Sequence, residues 1–143
     1  MKFWDASAIV PLCLREVHTV LANRTFTEDP DLAVWWATNS ECIGAFSRRL
    51  RSGDIDARTE AAARAHLTAR QLEWTEISPS ESLRSAAELL LAAHPLRTAD
   101  AFQLAAALEW CSHATSGSGF VCFDARLRQA AAREGFSLLP ESL

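Results

Sequence analysis

At 143 residues the chain is long enough to bury a sizeable core, and one domain spanning 1–143 is the simplest reading. With 49 % hydrophobic and 22 % charged residues it has the composition of an ordinary globular protein. A formal net charge of −4 argues against broad non-specific binding to nucleic acid, while leaving room for a local basic patch.

The pattern predicts strands alternating with helices. Residues 2–4 read as a short buried strand, followed by helical sequence to about Thr25. Glu28-Asp29-Pro30-Asp31 is a turn, and 32–36 form a second apolar strand. Trp35 and Trp36, adjacent in that strand, are expected on opposite faces, both able to be buried. A helix from about Asn39 carries Cys42, Ile43, Phe46 and Leu50 on one face, until Ser52-Gly53-Asp54 breaks it. A third helix runs from about Ala57 to Leu72 with Asp56 as its cap, and 74–77 fit a short strand.

Ser78-Pro79-Ser80-Glu81 carries a helix-start signature, with Ser78 at the cap and Pro79 first. The following helix presents Leu83, Ala86, Ala87, Leu90 and Leu91 on one side and ends at His94-Pro95. RTADAFQLAAALEW is apolar almost all round and marks a helix buried in the middle of the fold. A loop then leads to a strand at 120–123, a helix opened by Asp124 and stopped by Gly135, and a last strand at 136–139. Short apolar strands separated by helices imply an α/β fold whose parallel sheet is covered on both faces. In such sheets ligands bind beyond the carboxyl ends of the strands.

Asp5, Glu41 and Asp124 each follow a strand and belong at that edge, whereas Asp100 lies near the start of the most apolar helix. Each acid also has a structural explanation. Asp5 and Asp124 can cap the helices that follow them. Thr38-Asn39-Ser40-Glu41 fits a capping box, and Asp100 stands in a first helical turn, where the dipole favours an acid. Together, four carboxylates at one edge would repel unless some held protons or a hard cation, Mg²⁺ or Mn²⁺, neutralised them. Such an ion polarises water and stabilises charge on a phosphate, so the chemistry implied is metal-assisted phosphodiester hydrolysis.

Competing constellations are missing. Cys13, Cys42, Cys111 and Cys122 show no CxxC pair, His113 near Cys111 completes no zinc site, and His18, His66 and His94 are isolated. The thiols are expected to be reduced, in a cytoplasm. Ser116-Gly117-Ser118-Gly119 lacks the Gly-Lys-Ser/Thr ending of a phosphate loop. No membrane span is expected, because Asp5 interrupts the first apolar stretch and Arg15 and Glu16 end it. Thirteen of the 14 basic residues are Arg; Arg15, Arg48, Arg49, Arg51, Arg97, Arg126 and Arg128 are candidates for phosphate contacts. A solvated helix face is the competing reading for most of them.

The ordered set FWDASAIVPLCLRE, ECIGAFSRRLRSG, LRTADAFQLAAAL and FVCFDARLRQAAAREGF spans nearly the whole chain. It resembles the PIN-domain ribonucleases, specifically the VapC-type toxins of toxin–antitoxin pairs. The resemblance implies a three-layer α/β/α sandwich, Mg²⁺-dependent RNA cleavage, a homodimer and a cognate VapB-type antitoxin. It makes Asp5 and Asp100 the principal metal ligands and has Glu41 and Asp124 complete the pocket, partly through metal-bound water. Ser7 becomes a supporting hydrogen-bonding group, and Arg97, Arg15, Arg48 and Arg126 the foremost RNA-binding candidates. One departure stands out: Cys122 occupies the position where the family often has Thr, Ser or Asn, which puts polar support for Asp124 in doubt. The alternative is a catalytically inactive PIN-like module that binds a partner protein.

Overall fold

Five short strands with Phe, Trp, Val, Ala and Leu on both faces build one all-parallel sheet, ordered across its width as 75–77, 32–35, 2–4, 119–121 and 137–139. The structure, a computed structural model, describes residues 1–143. The strands are β1 (Lys2–Trp4), β2 (Leu32–Trp35), β3 (Thr75–Ile77), β4 (Gly119–Val121) and β5 (Ser137–Leu139). Seven helices connect them: α1 (Ala6–Cys13), α2 (Thr19–Glu28), α3 (Thr38–Ser52), α4 (Ala57–Gln71), α5 (Glu81–Ala93), α6 (Thr98–Trp110) and α7 (Ala125–Arg133).

Strand periodicity splits the core in two. Phe3, Ala33, Trp35 and Phe120 face a cluster with α5, α6 and α7. Their neighbours Trp4, Leu32, Val34 and Val121 face the other cluster, with α1, α2, α3 and α4. Helices therefore cover both faces of the sheet. The helix α6 is buried along Ala101 and Gln103 to Leu108, as its apolar sequence predicts.

Local chemistry sets the boundaries. The Asp56 carboxylate accepts from the Thr59 N–H at 2.7 Å, a cap worth about 1 kcal/mol. Gly53 ends α3 at φ 79°, in the left-handed region that favours glycine.

Three expectations need correction. The helical sequence to about Thr25 divides into two helices, the second running on to Glu28. Pro11 withholds an N–H from α1, and Leu14 is extended. Thr19 Oγ1 then secures the break by accepting from the Glu16 N–H at 2.8 Å and donating to the Leu14 carbonyl at 3.2 Å. The cap of α5 is Ser80, not Ser78: its hydroxyl accepts from the Leu83 N–H at 3.1 Å, while Ser78 and Pro79 carry the chain off the sheet edge. Trp36 lies beyond the end of β2 and is 56 % exposed, whereas Trp35 is buried against α6.

Candidate functional site

The parallel sheet brings the ends of β1, β2 and β4 to one edge, and the four acids gather along it. The Asp5 N–H continues the ladder to the Val121 carbonyl at 3.0 Å, which fixes the residue between β1 and β4. Its side chain is 4 % exposed and caps α1, with Oδ2 accepting from the Ser7 N–H at 3.0 Å. Burial pushes the Asp5 carboxyl up to about 6; Ser7 hydrogen bonding opposes the rise and the charge of Asp100 adds to it.

Glu41 stands one turn into α3. The capping box expected around it does not form. Ala37 is the cap residue, without a side-chain bond, and Thr38 is already helical and buried. Thr38 Oγ1 accepts instead from Gln103 Nε2 of α6 at 3.0 Å, and the same nitrogen lies 3.2 Å from Glu41 Oε1. The Glu41 carboxyl is pushed up to about 7, first by burial and then by Asp5, with Gln103 lowering it and Asp100 raising it.

Asp100 occupies the first turn of α6, half-buried. Its carboxyl is raised by burial and then by Asp124, while Arg97 and Arg126 pull it down. Asp124 is an exposed cap of α7, with Oδ1 accepting from the Leu127 N–H at 2.9 Å. Capping and membership of an acidic edge are thus compatible in Asp5 and in Asp124. The mutual charge effects link the four acids in a chain.

Ser7 and Cys122 join the two capping acids. Ser7 Oγ accepts from the Phe123 N–H at 2.9 Å and stands 3.6 Å from Cys122 Sγ. Cys122 Sγ lies 3.6 Å from Asp5 Oδ2 and accepts from the Asp124 N–H at 3.3 Å. Burial and the neighbouring carboxylates push the thiol far above its ordinary value, so it stays protonated. Cys122 is therefore a neutral donor to Asp5 and an acceptor from the Asp124 backbone.

The arginines divide. Arg97 and Arg126 are exposed and near enough to act on Asp100. Arg48 is exposed, two turns along α3 from Glu41, about 10 Å by helix rise. Arg15 is exposed in the break between α1 and α2, and Arg51 is exposed at the end of α3. Two candidates have structural partners instead. Arg49 pairs with Glu16 at 2.5 Å, and Arg128 is buried among the carbonyls of Cys122 and Pro140, at 2.9 and 2.7 Å. His94, also buried, pairs with Glu134 at 2.6 Å and ties the start of the α5–α6 link to α7.

Sequence reasoning missed Gln103. Its signal was present: Asp100 and Gln103 lie three apart on one face of an otherwise apolar helix.

The donor set is all oxygen and all anionic, which suits a hard divalent ion. No three His, Cys, Asp or Glu side chains converge closely enough to share one ion, so there is no all-protein cage. A Mg²⁺ ion commonly takes one or two carboxylates and keeps several waters. The raised carboxyls of Asp5, Glu41 and Asp100 are the electrostatic counterpart of such a site, since each gains from a nearby cation. Gln103 Oε1, on the amide whose nitrogen bonds Glu41, is buried without a partner. An ion held at this edge would draw most of its ligands from water. Compared with known proteins, the chain matches no family model and no curated sequence.

Proposed function

We propose that the chain is a Mg²⁺-dependent endoribonuclease of the PIN type, acting as the toxin of a toxin–antitoxin pair. The observation that carries this reading is the row of acids at the carboxyl edge of the sheet, where burial and mutual repulsion raise Asp5, Glu41 and Asp100 together. Helix capping accounts for Asp5 but not for Glu41 or Asp100, neither of which is a cap residue. The toxin role, a VapB-type antitoxin and a homodimer rest on the resemblance of the four sequence motifs, and a cytoplasmic setting on the four free thiols. A neighbouring reading frame for a small DNA-binding protein is the test of that role. No helix is long and apolar enough to cross a membrane.

In this reading Asp5 and Asp100 would hold Mg²⁺ (or Mn²⁺), with Glu41 and Asp124 completing the pocket, partly through water. The bound ion supplies positive charge that offsets the phosphate and lowers the pKa of coordinated water. Gln103 holds Glu41 Oε1, which leaves Oε2 free to accept a proton from the attacking water. The water oxygen would bond to phosphorus as its proton passes to Glu41, the P–O3′ bond would break, and the departing O3′ oxyanion would take a proton from solvent, so the products carry 5′-phosphate and 3′-hydroxyl ends. Arg97 and Arg126 steer the phosphate toward the acids.

The test is cleavage of defined single-stranded and looped RNAs by wild type, Asp5→Asn and Asp100→Asn with Mg²⁺, Mn²⁺ or chelator. Cleavage that needs the metal and disappears in Asp5→Asn supports the assignment; undiminished cleavage by that variant overturns it. The lack of three converging ligands favours one rival, an inactive module that binds a partner protein. Calorimetric titration with Mn²⁺ separates the two, because the inactive module gives little or no metal binding.

A further inference from the structure

Beside the acidic edge the chain exposes an aromatic groove that the proposed chemistry does not use. It has a volume of about 410 Å³; its walls are Trp35, Trp36, Phe102 and Pro79, with Ser80, Glu81 and Arg84 at the rim. Phe102 stacks on Trp35 with centroids 5.7 Å apart and planes 14° from parallel, and Trp36 meets Trp35 edge-on at 6.3 Å. The rings thus form a ladder from the core outward, ending in the most exposed of the five tryptophans.

Placement ties the groove to the acids. Trp35 is the last residue of β2, and the Trp36 N–H donates to the carbonyl of Ile77, the last residue of β3, at 3.0 Å. Asp5 follows β1, the next strand, so the strand ends that carry Trp35 and Ile77 lie one and two strand spacings from it along the same edge, about 5 and 10 Å. Phe102 also adjoins Gln103, which holds Glu41. Arg84 brings a cation to the rim. Its partner is Glu81, three residues away on an exposed helix face, a pair too weak to compete with a phosphate.

We propose that this groove seats one unpaired nucleobase of single-stranded RNA, stacked on Trp36 with the adjoining phosphate on Arg84. This rests on the nuclease reading above for its substrate class. A flat aromatic face beside a guanidinium suits a base and its phosphate whatever the sequence, because every base has a π-face. The site would favour single strands over duplex, in which the bases are already stacked on one another.

Binding of a fluorescein-labelled RNA hexamer is measured in EDTA, where metal-dependent cleavage is off, for wild type, Trp36→Ala and Trp36→Phe. Trp36 is exposed, so the variants keep the fold, which circular dichroism checks. Trp36→Ala is expected to weaken binding about ten- to a hundredfold, and Trp36→Phe to stay within about threefold of wild type. An abasic hexamer should bind all three proteins alike. Equal binding by wild type and Trp36→Ala overturns the proposal, as does no binding by wild type. Loss of self-association or of a captured protein in Trp36→Ala, with RNA binding unchanged, also overturns it. Manganese-dependent cleavage of the same hexamer separates the two readings. Wild-type cleavage with an unchanged KM in Trp36→Ala removes the groove alone. Trp36-dependent binding without cleavage removes the nuclease and leaves the groove.

Discussion

Gln103 Nε2 donates to Glu41 Oε1 at 3.2 Å, joining α6 to α3 across 62 positions of sequence. The same nitrogen reaches Thr38, so one buried amide sets the carboxylate and the first turn of the helix that carries it. Gln103→Leu deletes both bonds and strands two polar groups. It should cost about 1–3 kcal/mol of stability. It should also raise the Glu41 carboxyl further, because the Gln103 bond is what lowers it. Chemical denaturation and a carbon-detected NMR titration of the Glu41 carboxyl check the two effects. An unchanged Glu41 titration would show that the bond does not tune it.

The acidic edge should make the metal-free protein less stable as pH rises. Asp5 and Glu41 have folded values raised to about 6 and about 7, above their ordinary 3.8 and 4.5. Groups raised in the fold bind more protons folded than unfolded, so their contribution is complete below the unfolded value and is lost as pH rises through the folded one. Between pH 5 and 8 the melting temperature in chelator should therefore fall, and Asp5→Asn should flatten that fall. Asp29 and Asp56 are lowered in the fold, so their contribution is lost only as pH drops below about 4 and leaves this window clear. Saturating Mn²⁺ should reverse the fall. A melting temperature that rises from pH 5 to pH 8 in chelator would contradict the arrangement.

Arg128 and Arg97 should separate stability from activity. Arg128 sits among four backbone carbonyls and is buried, so Arg128→Ala leaves acceptors unpaired and should cost about 3 kcal/mol or more. Arg97 is exposed, so Arg97→Ala should leave denaturation within about 0.5 kcal/mol of wild type. It should weaken RNA binding and reduce the slope of log affinity against log salt by about one. Urea denaturation and salt-dependent anisotropy read the two predictions independently.

The four thiols should differ in reactivity. Cys13, Cys42 and Cys122 are buried and their thiols are raised by that burial, Cys13 up to about 11. Cys111 is half-buried at the end of α6. A thiol reagent at pH 8 should label Cys111 first in the native protein and all four only after unfolding, as peptide mass spectrometry reads directly. Rapid native labelling of Cys122 would mean that the segment linking it to Asp5 and to the Asp124 backbone opens readily.

The legible parts of the fold were those decided by near neighbours. Every strand and the α4, α6 and α7 helices follow from periodicity, caps and breakers within a few residues. The break after Cys13 was harder to read, because it depends on a Thr19 hydroxyl serving both sides of the gap. Trp36 failed for a related reason. Alternation holds only while the strand continues, and pairing with β3 stops at Trp35. Asp5, Glu41 and Asp124 come soon after strands, and a parallel sheet aligns every strand's carboxyl end. Which arginines are free was not legible: Arg128 and Arg126 are two residues apart, yet one is buried and the other exposed.

By itself, the sequence determined the alternation of strands and helices, the two-sided burial of the sheet, and the carboxyl edge at which Asp5, Glu41 and Asp124 emerge. Those properties depend on side chains a few positions apart, where backbone geometry dictates direction. Only the tertiary structure decided what each polar group does there. Glu41 answers to Gln103 rather than to a cap, Cys122 joins Asp5 to Asp124, and Trp36 opens a groove beside them. A hydrogen bond depends on atoms within about 3 Å, and here the chain supplies them from 62 to 117 residues away.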